Sequence, residues 1–154
     1  MSQAQSFANH CMYMASVLLE TWDASIEQGD KPLPVINAAF GPALRLHLLD
    51  AYGWQLLACN RVVAIPEKPP HRASEVSPLA EGIAQSPEVN EMAMLEREGW
   101  LADLQREIRP GLSQQSSSVF IAVSGNAFDL AVAQRCFLEL ESWMARVADA
   151  IDES

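Results

Sequence analysis

The sequence predicts an all-α fold, a four-helix bundle, on three observations. Apolar residues recur at three- and four-residue steps over long stretches, glycine- and proline-rich breaks separate those stretches, and each of the four carries one tryptophan: Trp22, Trp54, Trp100 and Trp143. A chain of 154 residues, 49% of them hydrophobic, fits one globular domain over 1–154 with a core of its own.

The first helix is expected from about Ser6 to Gln28. Phe7, Cys11, Met14, Leu18 and Trp22 form its stripe, Ala15, Leu19 and Ile26 widen it, and Glu20, Asp23 and Glu27 lie away from its centre. Gly29 suits a C-cap, and the prolines that follow cannot continue the helix.

The second helix is expected from about Pro34 to Val62, with a kink or break near Gly41 because Pro42 lies inside it. Ile36, Phe40, Leu44, His47, Ala51, Trp54 and Ala58 share one face, while Leu46, Leu49 and Leu56 populate the other. A helix apolar nearly all round is a central one.

Helical periodicity then lapses from Ala64 to Pro87, where Pro66, Pro69, Pro70, Pro78 and Pro87 define a long proline-rich connection. "SPLAEGIA" has room for one or two helical turns. Ser86 as N-cap, Pro87 at the first helical position and Glu88 and Glu91 in the opening turns start the third helix, expected to end near Ile108. "GLSQQSSS" reads as a polar loop and "VFIAV" as a short extended segment. In the last helix Leu130, Ala133, Phe137, Leu140, Met144, Val147 and Ile151 form a seam of the kind bundles bury.

Charge limits the function. Ten basic residues among twenty acidic ones give a net charge of −10. No basic stripe is available to neutralise phosphates, which argues against nucleic acid or an anionic membrane surface as partner. Cys11, Cys59 and Cys136 are odd in number, far apart and set in apolar helices, so they read as free thiols in a reducing cytoplasm. No apolar run reaches the roughly 18 residues that span a bilayer, and the N-terminus has no basic region of a secretory signal.

The chemistry-bearing candidates cluster in "PALRLHLLDAYGW". His47 sits on the face of Phe40 and Trp54, with Asp50 three residues on, close enough for the two side chains to meet on one flank. His10 on the first helix is the second imidazole able to converge there; His71, in the proline-rich connection, is not expected to. The expectation is a structural His47: neutral, buried, and hydrogen-bonded through a ring nitrogen. The sharper reading makes His47, Asp50, Trp54 and His10 the wall of an aromatic ligand cavity. No Glu-x-x-His pair, zinc spacing, nucleophile elbow or phosphate loop is present, so no cofactor, metal or catalytic residue is expected. Arg45 reads as a surface salt-bridge partner, and Glu96 as a surface glutamate.

The succession "FANHCMYMASVLLETW", "RLHLLDAYGWQLLA", "SPEVNEMAMLEREGWLADL", "VFIAV" and a terminal amphipathic helix resembles a domain-of-unknown-function family of short all-helical proteins from pseudomonads and related gammaproteobacteria. The similarity spans most of the chain and rests on apolar spacing with a few polar fixtures. It implies a helical fold. That family has no established activity, so the resemblance carries over no functional residues.

Two functional classes remain. One is a non-enzymatic module that binds another protein or a second copy of itself as a homodimer, through a helix face or through residues such as Ile65 and Val76 in the connection. The other is a small-molecule binder or hydrolase using His47. The packing assignment is testable: Leu140→Ala should cost about 2–5 kcal/mol in denaturant unfolding if Leu140 lies in the core. A loss within about 0.5 kcal/mol would place it on the surface.

Overall fold

The structure, a computed structural model, describes residues 1–76, 84–109 and 128–152. The described residues are all-helical, with no strand. Helices α1 (Gln3–Gln28) and α2 (Leu33–Cys59) form a long hairpin. After a single 3₁₀ turn at Ala73–Glu75 come α3 (Pro87–Leu95), α4 (Trp100–Gln105) and α5 (Leu130–Asp152). The "VFIAV" segment, the three serines before it and most of "SPLAEGIA" lie outside the described residues.

Helix α1 begins three residues earlier than its apolar pattern suggests, because Ser2 caps it by accepting a hydrogen bond from the Gln5 amide at 3.1 Å. It ends as expected at Gly29, whose left-handed φ of 68° closes the last turn. Its buried line differs from the expected one. Ala4, Ala8, Met12, Ala15 and Trp22 are buried, whereas Phe7 is 37% exposed and Cys11, Met14 and Leu18 are half-buried. Alanines take three of the five buried positions, and the half-buried larger residues flank them. The Trp22 indole donates to Asn37 Oδ1 at 3.1 Å, Gln5 donates to Gln55 Oε1 at 2.7 Å, and Phe7 meets Trp54 edge-on at 5.0 Å. These three pairs set an antiparallel register along the hairpin.

Helix α2 runs unbroken through Pro42. Proline deprives the carbonyl four residues back of its donor. Here Pro42 is exposed and Ala38 half-exposed, so water can serve that carbonyl. Farther along, eight consecutive residues, Ala51 to Ala58, are all buried, so this half is covered on every side, as an all-round apolar helix requires.

The expected third helix is two. The chain turns after Leu95, and Gly99 adopts a φ of 86°, a conformation L side chains rarely take, before α4 begins. Helix α5 matches its periodicity. Ala133, Cys136, Leu140, Trp143 and Val147 are buried, Phe137 is half-buried, and Ile151 at 43% exposure lies beyond the core. Asp129 caps it, accepting from the Val132 amide at 2.9 Å. Tyr52 of α2 packs against Trp143 of α5 at 5.8 Å. All four tryptophans are buried.

One contact places the connection. A methyl group on Gly53 would overlap the Pro70 carbonyl oxygen, and would stand 3.1 Å from the Pro69 Cβ. Pro69 and Pro70 therefore lie directly on the α2 backbone. Gly53→Ala should lose about 1–3 kcal/mol through overpacking, although in an unobstructed helix the same change gains up to about 1 kcal/mol. Gly41→Ala, whose methyl would sit 3.4 Å from the Phe128 carbonyl oxygen, should be near neutral. Thermal denaturation of both variants checks this; a stabilised Gly53→Ala would lift the connection off α2.

Candidate functional site

The expected candidates come only partly together. His47 is half-buried and makes no hydrogen bond among the described residues, contrary to a buried imidazole held through a ring nitrogen. Asp50 points elsewhere: its Oδ1 lies 2.7 Å from Nε2 of His71, the imidazole not expected to converge. Trp54 is 8% exposed, beneath Phe7. His10 is exposed on α1. Among the described residues no hydrogen bond or ring contact joins these four. A shallow cleft of about 320 Å³ lies instead under the connection, between Leu57, Val62, Ile65, Pro66 and Pro70, with Lys68 and Glu75 at its polar edge.

Around His71 runs a polar network joining the connection to three helices. The His71 amide donates to Glu75 Oε2 at 3.2 Å, and its carbonyl accepts from the Gln105 side-chain amide of α4. Two residues on, the Ala73 amide donates to Glu96 Oε1 at 2.7 Å, and that same oxygen accepts from the Tyr52 hydroxyl at 2.7 Å. Glu96 is therefore a half-buried tie between α2, the 3₁₀ turn and the end of α3, rather than a surface glutamate. Burial, then the bond to Glu96, pushes the Tyr52 phenol well above its usual range and keeps it a donor.

Arg45 is likewise half-buried rather than a surface ion-pair partner. Its Nε donates to the Leu104 carbonyl at 2.9 Å and its Nη2 to the Gln105 carbonyl at 3.1 Å. A cation on the last carbonyls of α4 satisfies orphan acceptors and suits the helix dipole. Burial pulls the guanidinium below its usual value, while Glu107 opposes that. The Asp50–His71 pair is about a third exposed, so its contribution belongs with surface ion pairs, of order 1 kcal/mol or less.

This network holds structure together. Among the described residues no group of three or more His, Cys, Asp or Glu is gathered as a metal site. Ile65 and Val76 pack against the core, so the connection does not expose them as a docking surface.

The exposed apolar surface lies elsewhere. Val35, Ala39, Pro42, Ala43 and Leu46 occupy one face of α2 at helical spacing, and all five are exposed. On the C-terminal half of α2 the same face continues through Gly53 and Leu57, where Pro69 and Pro70 cover it. On the N-terminal half nothing described does. The hairpin register sets Met14 level with His47 and Leu18 level with Ala43, and this side of α1 adds Phe7. None of these residues carries a carboxylate or an ammonium group. Apolar spacing alone hides this face, because a helix apolar nearly all round reads as covered on every side, Leu46's side included; the run of small apolar residues at 39, 42 and 43 was its signal.

No family model, curated protein or solved structure matches the chain. No described helix is long and apolar enough to cross a membrane.

The thiols give a pH prediction. Burial, with Asp50 adding to it, pushes Cys11 up to about 11, and burial lifts Cys59 and Cys136 to about 12. All three cysteines are free. Each folded thiol ionises at higher pH than its unfolded counterpart, so its contribution to stability is full below the ordinary thiol range of about 8.5. It drains away as pH rises from there through the folded values. The melting temperature should fall between pH 8 and pH 10.5, by less in Cys11→Ala, and thiol alkylation at pH 8 should be far slower than in denaturant. A flat melting profile with fast alkylation would put the thiols in solvent.

Proposed function

We propose that the protein is a non-enzymatic protein-interaction module that docks its partner on the exposed apolar side of the α1–α2 hairpin, around Leu46 and His47. The observation that carries this reading is that face: exposed, apolar and contiguous on a chain of net charge −10. Exposed apolar surface is costly in water, and a continuous patch marks a place where another molecule removes it from water. Acidic residues elsewhere on the surface keep the chain dispersed and discourage contact through any other side.

In this reading the scaffold is a four-helix bundle in which α3 and α4 together fill one position and α2 bends at Pro42. The free thiols suit a reducing cytoplasm. The family resemblance contributes no residue to the reading, because that family carries no established activity.

The test is site-specific photo-crosslinking in cells producing the full chain. A photoreactive residue replacing Leu46 should give a discrete adduct. The same residue replacing Met94, 74% exposed on α3, should give none. No adduct from position 46, or equal adducts from both positions, would remove the docking face.

A further inference from the structure

Resting on the docking face proposed above, we propose that its occupant is a second copy of this chain, seated face to face and antiparallel about a two-fold axis beside Ala43.

Charge selects the occupant first. Each copy carries a net charge of −10, so two copies repel over most of their surfaces. On α1 the acids Glu20, Asp23 and Glu27 follow one helical line, while Phe7, Met14 and Leu18 follow another, on the flank shared with α2. Along the exposed face of α2 no acid occurs between Val35 and Leu46. The hairpin underside is thus the side on which two acidic copies approach without setting carboxylates against carboxylates. A heterologous partner that used charge for recognition would find no counter-charge there.

Shape agrees with charge. The α2 face presents Leu46 at 50% exposure, Val35 at 38%, and small positions between them, among which Ala39 lies a helical interval from Leu46. An antiparallel arrangement about Ala43 sets Leu46 of each copy over Ala39 of the other, and sets Pro42 beside Ala43 across the axis. A two-fold contact needs this kind of self-complementarity, in which residue i meets j and j meets i. Small residues at 39 and 43 also let the two helices come close.

Area sets the strength. Helix rise gives the open α2 face from Val35 to Leu46 a length of roughly 17 Å, and two helices side by side present a face roughly 20 Å wide. That is roughly 340 Å² per copy, or roughly 700 Å² in all, below the usual size of specific interfaces. The dimer is therefore weak and concentration-dependent.

Sedimentation equilibrium of the full chain from about 1 µM to 1 mM reads this directly. The weight-average mass should rise from that of one chain towards twice that value. Leu46→Glu places a charge against the apolar partner face and two acids near the axis; it should weaken association at least tenfold and leave the melting temperature of the dilute protein unchanged. Leu46→Lys and Ala39→Glu should each associate poorly alone and recover when mixed, because position 46 of one copy faces position 39 of the other. A wild-type chain monomeric to 1 mM overturns self-association, as does association that Leu46→Glu leaves intact. A melting temperature lowered in dilute Leu46→Glu also overturns it, because the face is then covered from within the same chain. Failure of the mixed pair to recover overturns the antiparallel seating. Adducts from position 46 that contain only a different protein reject the second copy and keep the docking face; absence of any adduct rejects both.

Discussion

The approach of the Pro70 carbonyl to the bare backbone at Gly53 organises the molecule. Because residue 53 has no side chain, the proline pair can rest on α2 itself. With that contact made, the C-terminal half of α2 is enclosed on its last open side, and Ala51 to Ala58 leave solvent together. The chain beyond Pro70 is delivered over the helix in register: His71 to Asp50, then Ala73 to Glu96. A longer side chain at 53 would push the connection outward and pull these partners apart in turn.

The polar ties matter through position more than through strength. A net hydrogen bond contributes about 1 kcal/mol, and those to charged groups about twice that. What distinguishes Glu96 is that one carboxylate oxygen serves both the Tyr52 hydroxyl and the Ala73 amide, so removing the carboxylate orphans two donors that water reaches poorly. Arg45 does similar work at the opposite end, closing α4 with two bonds from one side chain. Such sharing makes a loop rich in proline and poor in its own backbone bonds stay where it is.

How much of this was legible depended on whether the determinant was local. The seam of α5 could be read because its period repeats at nearly every turn and only one face is apolar. The left-handed stop at Gly29 was readable because a glycine followed by prolines leaves the chain few alternatives. In α1 the buried line could not be read correctly, since hydrophobicity favoured Phe7 and Met14 while the fully buried positions fell to Ala4, Ala8 and Ala15, whose small side chains carry little hydrophobic signal. The third helix was read as continuous because the apolar spacing carries across Gly99; the glycine in "EREGW" was the warning. The polar network was beyond sequence reasoning, because Tyr52 and Glu96 are 44 residues apart and meet only through tertiary placement. The face that His47 shares with Ile36, Leu44, Ala51 and Trp54 is covered, but His47 lies at its edge beside exposed Ala43 and is only half-buried; helical periodicity is silent on where a covered face stops.

The hairpin turn at Gly29 has a consequence for synthesis. Residues 1–59 can pair as soon as they leave the ribosome, because their contacts are local and little loop closure is required. The helix that covers Tyr52 from the other side, α5, is the last of the described helices to be made. At ordinary elongation rates the gap is roughly four to fourteen seconds. Throughout it the nascent hairpin exposes apolar residues on both broad sides, and the acidic residues along α1 are then its main protection against sticking to other chains.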